Sequence, residues 1–219
     1  MTNLKLNAKG MFFDLDGTIV DSKRAYLEAI KTTFIKLGHN VFDSELVFEV
    51  PRRFEQSMAM DDLLVDIDPK RFREIYITAY YEATGKFSQP FPNVRETLRD
   101  LSRKSKLALI TRRRMPKEDV IRQMEKLSLA EYFTYVVTGN DTANPKPSPE
   151  QLMTCAKHMS LDVCECITVG DSVIDIRAGK NAGTRTVAVL SGIYSYEELK
   201  AENPDLILES VNQLPVFIK

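Results

Sequence analysis

Two aspartates spaced one residue apart, Asp14 and Asp16, close an apolar run in "MFFDLDGTIVDS", residues 11–22. Buried carboxylates are costly unless something pairs with them. In an extended strand the two would share a face, and Gly17 lets the chain turn away directly afterwards. Carboxylates on one face repel each other unless a cation or a proton sits between them. A hard divalent cation suits such oxygen ligands, and magnesium is favoured because it takes few protein carboxylates and keeps positions for water and phosphate. Further along, "VGDSVID", residues 169–175, adds Asp171 at a strand end and Asp175 one helical turn on.

A cation opposite a carboxylate suits phosphoryl transfer. One aspartate can attack phosphorus and form an aspartyl-phosphate, which divides hydrolysis into two steps. A second carboxyl can protonate the leaving oxygen and later take a proton from the attacking water. Lys146 in "NPKPSPE" supplies a point charge and Thr111 in "LITR" a hydroxyl, both suited to phosphoryl oxygens.

These residues need a scaffold that gathers distant loops. Short apolar runs at 11–15, 106–111, 134–139, 166–171, 185–190 and, more weakly, 205–209 read as strands. Amphipathic stretches at 93–104, 116–127, 148–159, 173–182 and 195–202 read as helices between them. That alternation predicts an α/β fold, a doubly wound (Rossmann-like) parallel sheet. Ligands bind such sheets at the carboxyl ends of the strands, where Asp14, Asp16, Thr111, Lys146, Asp171 and Asp175 all fall. The interval from residue 22 to 89 shows helical patterns at 23–37, 44–50, 53–65 and 69–84 and no convincing strand. It is far longer than one crossover requires. An inserted all-α domain over 22–89 is therefore expected, with residues 1–21 and 90–219 forming the core.

Composition narrows the function classes. Thirty basic and thirty-one acidic residues leave a formal charge of -1, which gives no basis for wholesale binding to nucleic acid or an anionic membrane. No segment has the apolar length of a membrane span, and residues 1–10 lack the apolar centre of a signal peptide. With three cysteines and no disulfide pattern, the expectation is a cytoplasmic protein with reduced thiols. Cys155, His158, Cys164 and Cys166 match no common zinc spacing. Neither a P-loop nor a dinucleotide-binding glycine motif occurs. The run Arg112–Arg114 with Lys117 reads as a solvated helix entrance, from which one arginine can reach an anionic substrate. Arg52 and Arg53 offer the same choice within the insertion. Tyr76 and Tyr80, one turn apart, read as packing residues.

In this order, "DLDGTIVDS", "LITR", "NPKPSPE" and "VGDSVIDIRAGKNAG" resemble the four signature motifs of the haloacid dehalogenase superfamily. The helical insertion resembles the cap of its phosphoglycolate phosphatase and β-phosphoglucomutase-like branch. The resemblance implies a magnesium-dependent phosphatase acting on a small phosphorylated metabolite, as a monomer or homodimer. It implies Asp14 as nucleophile and metal ligand, and Asp16 as general acid/base with its backbone carbonyl on the metal. Thr111 and Lys146 would hold phosphate, Asp171 would ligate the metal, and Asp175 would do so directly or through water. Asp16 sets the chain apart from dehalogenating relatives, which generally lack it. The alternatives are a mutase returning the phosphoryl group to a sugar, and a catalytically silent binding protein on the same fold. Arg112, where relatives often carry Asn, and "VPRRFEQ" with Arg52 and Arg53, where they often carry a glycine, fall where substrate recognition is expected.

Overall fold

The computed structural model describes residues 5–64 and 66–219. Residues 1–4, expected in the core, and residue 65, the end of the helix expected over 53–65, lie outside the described residues. The chain folds as two compact units, Met1–Val20 with Pro90–Lys219, and Asp21–Gln89.

The first unit is built on β1 (Gly10–Phe13), which runs parallel to a strand on each side. Two-residue strands β2 (Val20–Asp21) and β3 (Gln89–Pro90) pair where the chain passes between the units. The main sheet continues with β4 (Lys106–Ile110), β5 (Tyr135–Val137), β6 (Cys166–Gly170), β7 (Arg185–Val189) and β8 (Leu206–Leu208). Its order is β5-β4-β1-β6-β7-β8, with every pairing parallel. The chain leaves β1 for β4 on one side and later returns to β6 on the other. This reversal of winding direction opens a crevice at the carboxyl end of β1.

Side-chain alternation in the strands divides the core into two layers. Met11 and Phe13 of β1 join Leu107, Leu109, Ile167 and Val169 on one side, whereas Phe12 joins Ala108, Ile110 and Val137 on the other. Phe12 and Phe13 are both fully buried. Each contributes about 1.5–3 kcal/mol by leaving water.

The second unit contains α1 (Lys23–Lys36), α2 (Leu46–Gln56) and α3 (Pro69–Phe87) around Ile30, Phe34, Val50, Phe72 and Tyr76. Tyr76 and Tyr80 stack with centroids 6.1 Å apart, as packing residues. In place of the helices expected over 44–50 and 53–65 there is one, Leu46–Gln56, with Pro51 inside it and Ser57 closing it at φ 55°; residues 57–64 are turn and irregular structure rather than helix. Pro51 has no N–H to donate, which costs a helix bond. The Arg53 guanidinium spans the weak turn, donating to Glu49 at 2.8 Å and also binding Ala59 O and Asp62. Those contacts draw the segment after Gln56 back against the helix, and the helix cannot continue.

The remaining helices belong to the first unit: α4 (Val94–Ser102), α5 (Lys117–Lys126), α6 (Glu150–His158), α7 (Val173–Ala182) and α8 (Tyr196–Ala201). Among the described residues no helix is long and apolar enough to cross a membrane.

Candidate active site

The strand ends supply the site. β1 stops at Phe13, and the Asp14 N–H donates to Val169 O at 2.9 Å, which locks the residue beside the end of β6. Thr111 follows β4, its N–H bonded to Val137 O at 2.9 Å. Asp171 follows β6 and leads into α7, where Ser172 and Asp175 form a reciprocal cap. Ser172 Oγ donates to Asp175 Oδ2 at 2.6 Å, and the Asp175 N–H donates back to Ser172 Oγ. The cap fixes one Asp175 oxygen on the helix and turns the other toward β1.

Lys146 meets that oxygen. Its Nζ donates to Asp175 Oδ1 at 2.6 Å and to Asp14 Oδ1, and its side chain is 2% exposed. Burial works to lower the Lys146 pKa, but the carboxylates of Asp14 and Asp175 raise it well above the ordinary lysine value. The ammonium therefore stays charged. Asp14 moves the other way: burial pushes its carboxyl up to about 8, with Lys146 opposing and Asp175 adding to the rise.

Among the described residues, Asp14, Asp171 and Asp175 form a group whose oxygens lie within 4.8 Å of one another. The Lys146 ammonium pairs with two of the three, Asp14 and Asp175. An all-oxygen donor set of this charge fits a hard divalent cation, and a cation among them would favour ionised Asp14.

Asp171 is held by close packing. Thr18 Oγ1 donates to its Oδ1 at 2.7 Å, and a Cβ at either Gly17 or Gly192 would overlap its carboxylate. Gly17 also sits at φ +86°, so it is a glycine on two counts. Ser191 Oγ donates to Gly17 O at 2.6 Å and ties together the two loops flanking Asp171.

The Asp16 carboxylate has a partner that the sequence did not indicate. β1 ends before it, so strand alternation no longer aligns it with Asp14. Its carboxylate is bound through both oxygens by Arg113, from Nε at 2.7 Å and Nη2 at 2.5 Å. Arg113 Nη1 donates onward to Gln123 at 2.5 Å, and its residue is 3% exposed. The solvated reading of the arginine run is thus corrected at its middle member, because Asp16 offers it a fork-shaped carboxylate partner. Arg114 is exposed and Arg112 half-buried.

Arg52 and Arg53 belong to the helical unit. Arg52 Nε lies 3.9 Å from Glu49, and the Arg53 guanidinium is committed to Glu49, Asp62 and Ala59 O. Of the sulfur and imidazole groups, Cys155 and Cys166 are buried thiols and Cys164 is exposed. His158 stacks on Tyr135 with centroids 4.4 Å apart.

Sequence reasoning missed Gln151. It is fully buried, and its Nε2 donates to Thr111 O at 3.1 Å and Thr138 O at 3.0 Å. Its signal was a polar side chain on the inward stripe of α6, beside Leu152, Cys155 and Ala156. Arg113 had no comparable signal within a run of three arginines.

The family model described as haloacid dehalogenase-like hydrolase matches residues 11–189. The chain is 30% identical to the phosphoglycolate phosphatase of Escherichia coli (strain K12), covering 94% of this chain and 90% of that protein. It is 31% identical to the phosphoglycolate phosphatase of Vibrio parahaemolyticus, covering 92% of each. Among solved structures, a haloacid dehalogenase-like family hydrolase from Streptococcus pneumoniae superposes with a TM-score of 0.78 at 21% identity. That match covers 96% of this chain and 98% of the other.

Proposed function

Because the chain belongs to the haloacid dehalogenase-like hydrolases and is a phosphatase of that family, we propose that it hydrolyses a small phosphomonoester through Asp14. The substrate class, near phosphoglycolate, is proposed from the named relatives. One observation carries the mechanism: three carboxylates and one buried ammonium converge where β1, β4 and β6 end.

In the proposed reaction an Asp14 carboxylate oxygen attacks phosphorus. The bond from phosphorus to the leaving oxygen breaks, and Asp16, which would first have to leave its fork with Arg113 and take up a proton, gives that oxygen the proton. Asp16 then takes a proton from water as the water attacks the phosphorus of the aspartyl-phosphate, returning Asp14 and releasing inorganic phosphate. Lys146 and the Thr111 hydroxyl hold the phosphoryl oxygens. Magnesium held by Asp14, Asp171, Asp175 and the backbone carbonyl of Asp16 would supply charge neutralisation. We further read residues 22–89 as the cap that selects the leaving group, with Arg52, Arg53 and Arg112 as candidate contacts to it. Arg53 would have to exchange its Glu49 and Asp62 partners to serve.

A panel of phosphorylated metabolites assayed with and without magnesium tests this reading. Metal-dependent release of phosphate from a small phosphomonoester is expected, and no release across the panel would overturn it. The role of Asp16 has its own signature. Asp16→Asn is expected to lose about 10²–10⁴-fold on alkyl phosphates, whose leaving oxygen needs a proton. On p-nitrophenyl phosphate, whose leaving group departs as an anion, the loss should be much smaller. Equal losses on the two substrates would remove Asp16 from the acid role.

Gly192 provides a test of the cation site from outside the donor set. Gly192→Ala must displace the Asp171 carboxylate. The magnesium concentration giving half-maximal activity should then rise roughly 10–100-fold, the range typical when a residue supporting a metal ligand is altered. An unchanged magnesium requirement would contradict the assignment of Asp171.

A further inference from the structure

Thr111 and Lys146 come from different loops, after β4 and after β5, yet both would have to grip one phosphoryl group. Lys146 has no strand of its own to fix it. Its segment is held from outside by Glu150, which accepts from the Ala143 N–H at 3.0 Å and from the Asn144 N–H at 2.9 Å. Asn181 of α7 adds a bond to Pro147 O at 2.9 Å. From inside, the segment meets Gln151.

The Gln151 side chain touches all three places that must keep register. Its amide NH₂ group donates to Thr111 O and Thr138 O, and its Oε1 accepts from the Lys146 N–H at 3.4 Å. A primary amide is the group this position needs, since two carbonyls and one N–H face it. Gln151 lies beneath Thr111 and Lys146 and makes its contacts through their backbones. Thr138 is a strut in its own right. Its N–H and hydroxyl both bond Asp141 Oδ2, at 2.7 and 3.0 Å, and Asp141 Oδ1 pairs with Lys117 at 3.3 Å. Through Thr138, Gln151 is therefore anchored to a rigid turn.

We propose that Gln151 is a positioning residue of the phosphate-holding pair, setting the distance between the Thr111 hydroxyl and the Lys146 ammonium. The inference rests on the proposed roles of Thr111 and Lys146. Truncating the amide removes the one side chain that ties the two loops to each other, leaving each on its remaining bonds. A displacement of about 1 Å in such groups can cost on the order of 10²-fold in rate.

The test compares Gln151→Met, which keeps volume and removes every bond, with Gln151→Glu, which keeps the acceptor for Lys146 N–H but sets a carboxylate oxygen against two carbonyls. Turnover of p-nitrophenyl phosphate with magnesium, competitive inhibition by orthovanadate and thermal unfolding are measured on the full chain. Expected are a roughly 10–100-fold fall in kcat/KM and a roughly tenfold weaker orthovanadate inhibition in folded protein, for either variant that folds. A lower Tm with kcat/KM and orthovanadate inhibition within twofold of the parent would show a structural role only and overturn the proposal. Thr111→Val separates the two levels of inference. If it inhibits like the parent, the phosphate-holding reading of Thr111 fails. If it loses orthovanadate while both Gln151 variants keep it, the positioning role of Gln151 alone is overturned.

Discussion

Asp14→Asn is expected to lower turnover by a factor on the order of 10⁴–10⁶, the scale on which nucleophile removal acts in covalent catalysis. The fold should survive the change. Asparagine has the same shape, its carbonyl oxygen can still accept from Lys146, and the substitution removes one of three crowded carboxylates. Burial already pushes the Asp14 carboxyl up to about 8, so its negative charge is a cost to the folded state when no cation is present. The Tm of the variant in metal-free buffer should accordingly equal or exceed that of the parent. Steady-state hydrolysis of p-nitrophenyl phosphate, with thermal unfolding on the same samples, checks both halves. Activity within tenfold of the parent would remove Asp14 from the nucleophile role.

Lys146→Met should act on stability and turnover together. The ammonium is buried between Asp14 and Asp175, and its loss leaves two carboxylates facing each other out of water. Breaking a buried ion pair by removing one partner costs about 3–5 kcal/mol. For a chain of this size that corresponds to a fall in Tm of roughly 6–20 °C in metal-free buffer. Part of the loss should return on adding magnesium, because the cation takes over the neutralisation. Turnover should fall about 10²–10³-fold even with magnesium present, since the group holding the phosphoryl oxygens is gone. An unchanged Tm in metal-free buffer would contradict the electrostatic account of the cluster.

The sheet was legible in the sequence for a simple reason. Its four inner strands are buried on both faces, so each appears as a short apolar run without the polar alternation of a surface strand. The two-residue pairing of Val20–Asp21 with Gln89–Pro90 was not legible, because no periodicity can be read over so short a span. Nor was the single helix Leu46–Gln56: the bond from Arg53 to Glu49 that spans Pro51, and the contacts of Arg53 with Ala59 and Asp62 beyond the helix end, belong to the folded arrangement.

The site divides along the same line. Asp14, Lys146, Asp171 and Asp175 could be gathered from the sequence because parallel topology brings the loops after the strands to one edge of the sheet. What topology could not supply was the direction of each side chain. Asp16 lies beyond the end of β1, and its carboxylate turns to Arg113, a partner 97 residues away. Gln151 and Gly192 act through packing beneath the carboxylates and the loops, where only the folded arrangement brings them into range.

A structure determined with magnesium and beryllium fluoride tests the central claim most directly, because trifluoroberyllate bonded to a carboxylate mimics an acyl-phosphate. The account predicts beryllium bonded to a carboxylate oxygen of Asp14. Magnesium should lie on Asp14, Asp171, Asp175 and the Asp16 backbone carbonyl, with Lys146 and Thr111 on the fluorines. Beryllium bonded to any other side chain, or magnesium bound away from Asp14 and Asp171, would contradict it.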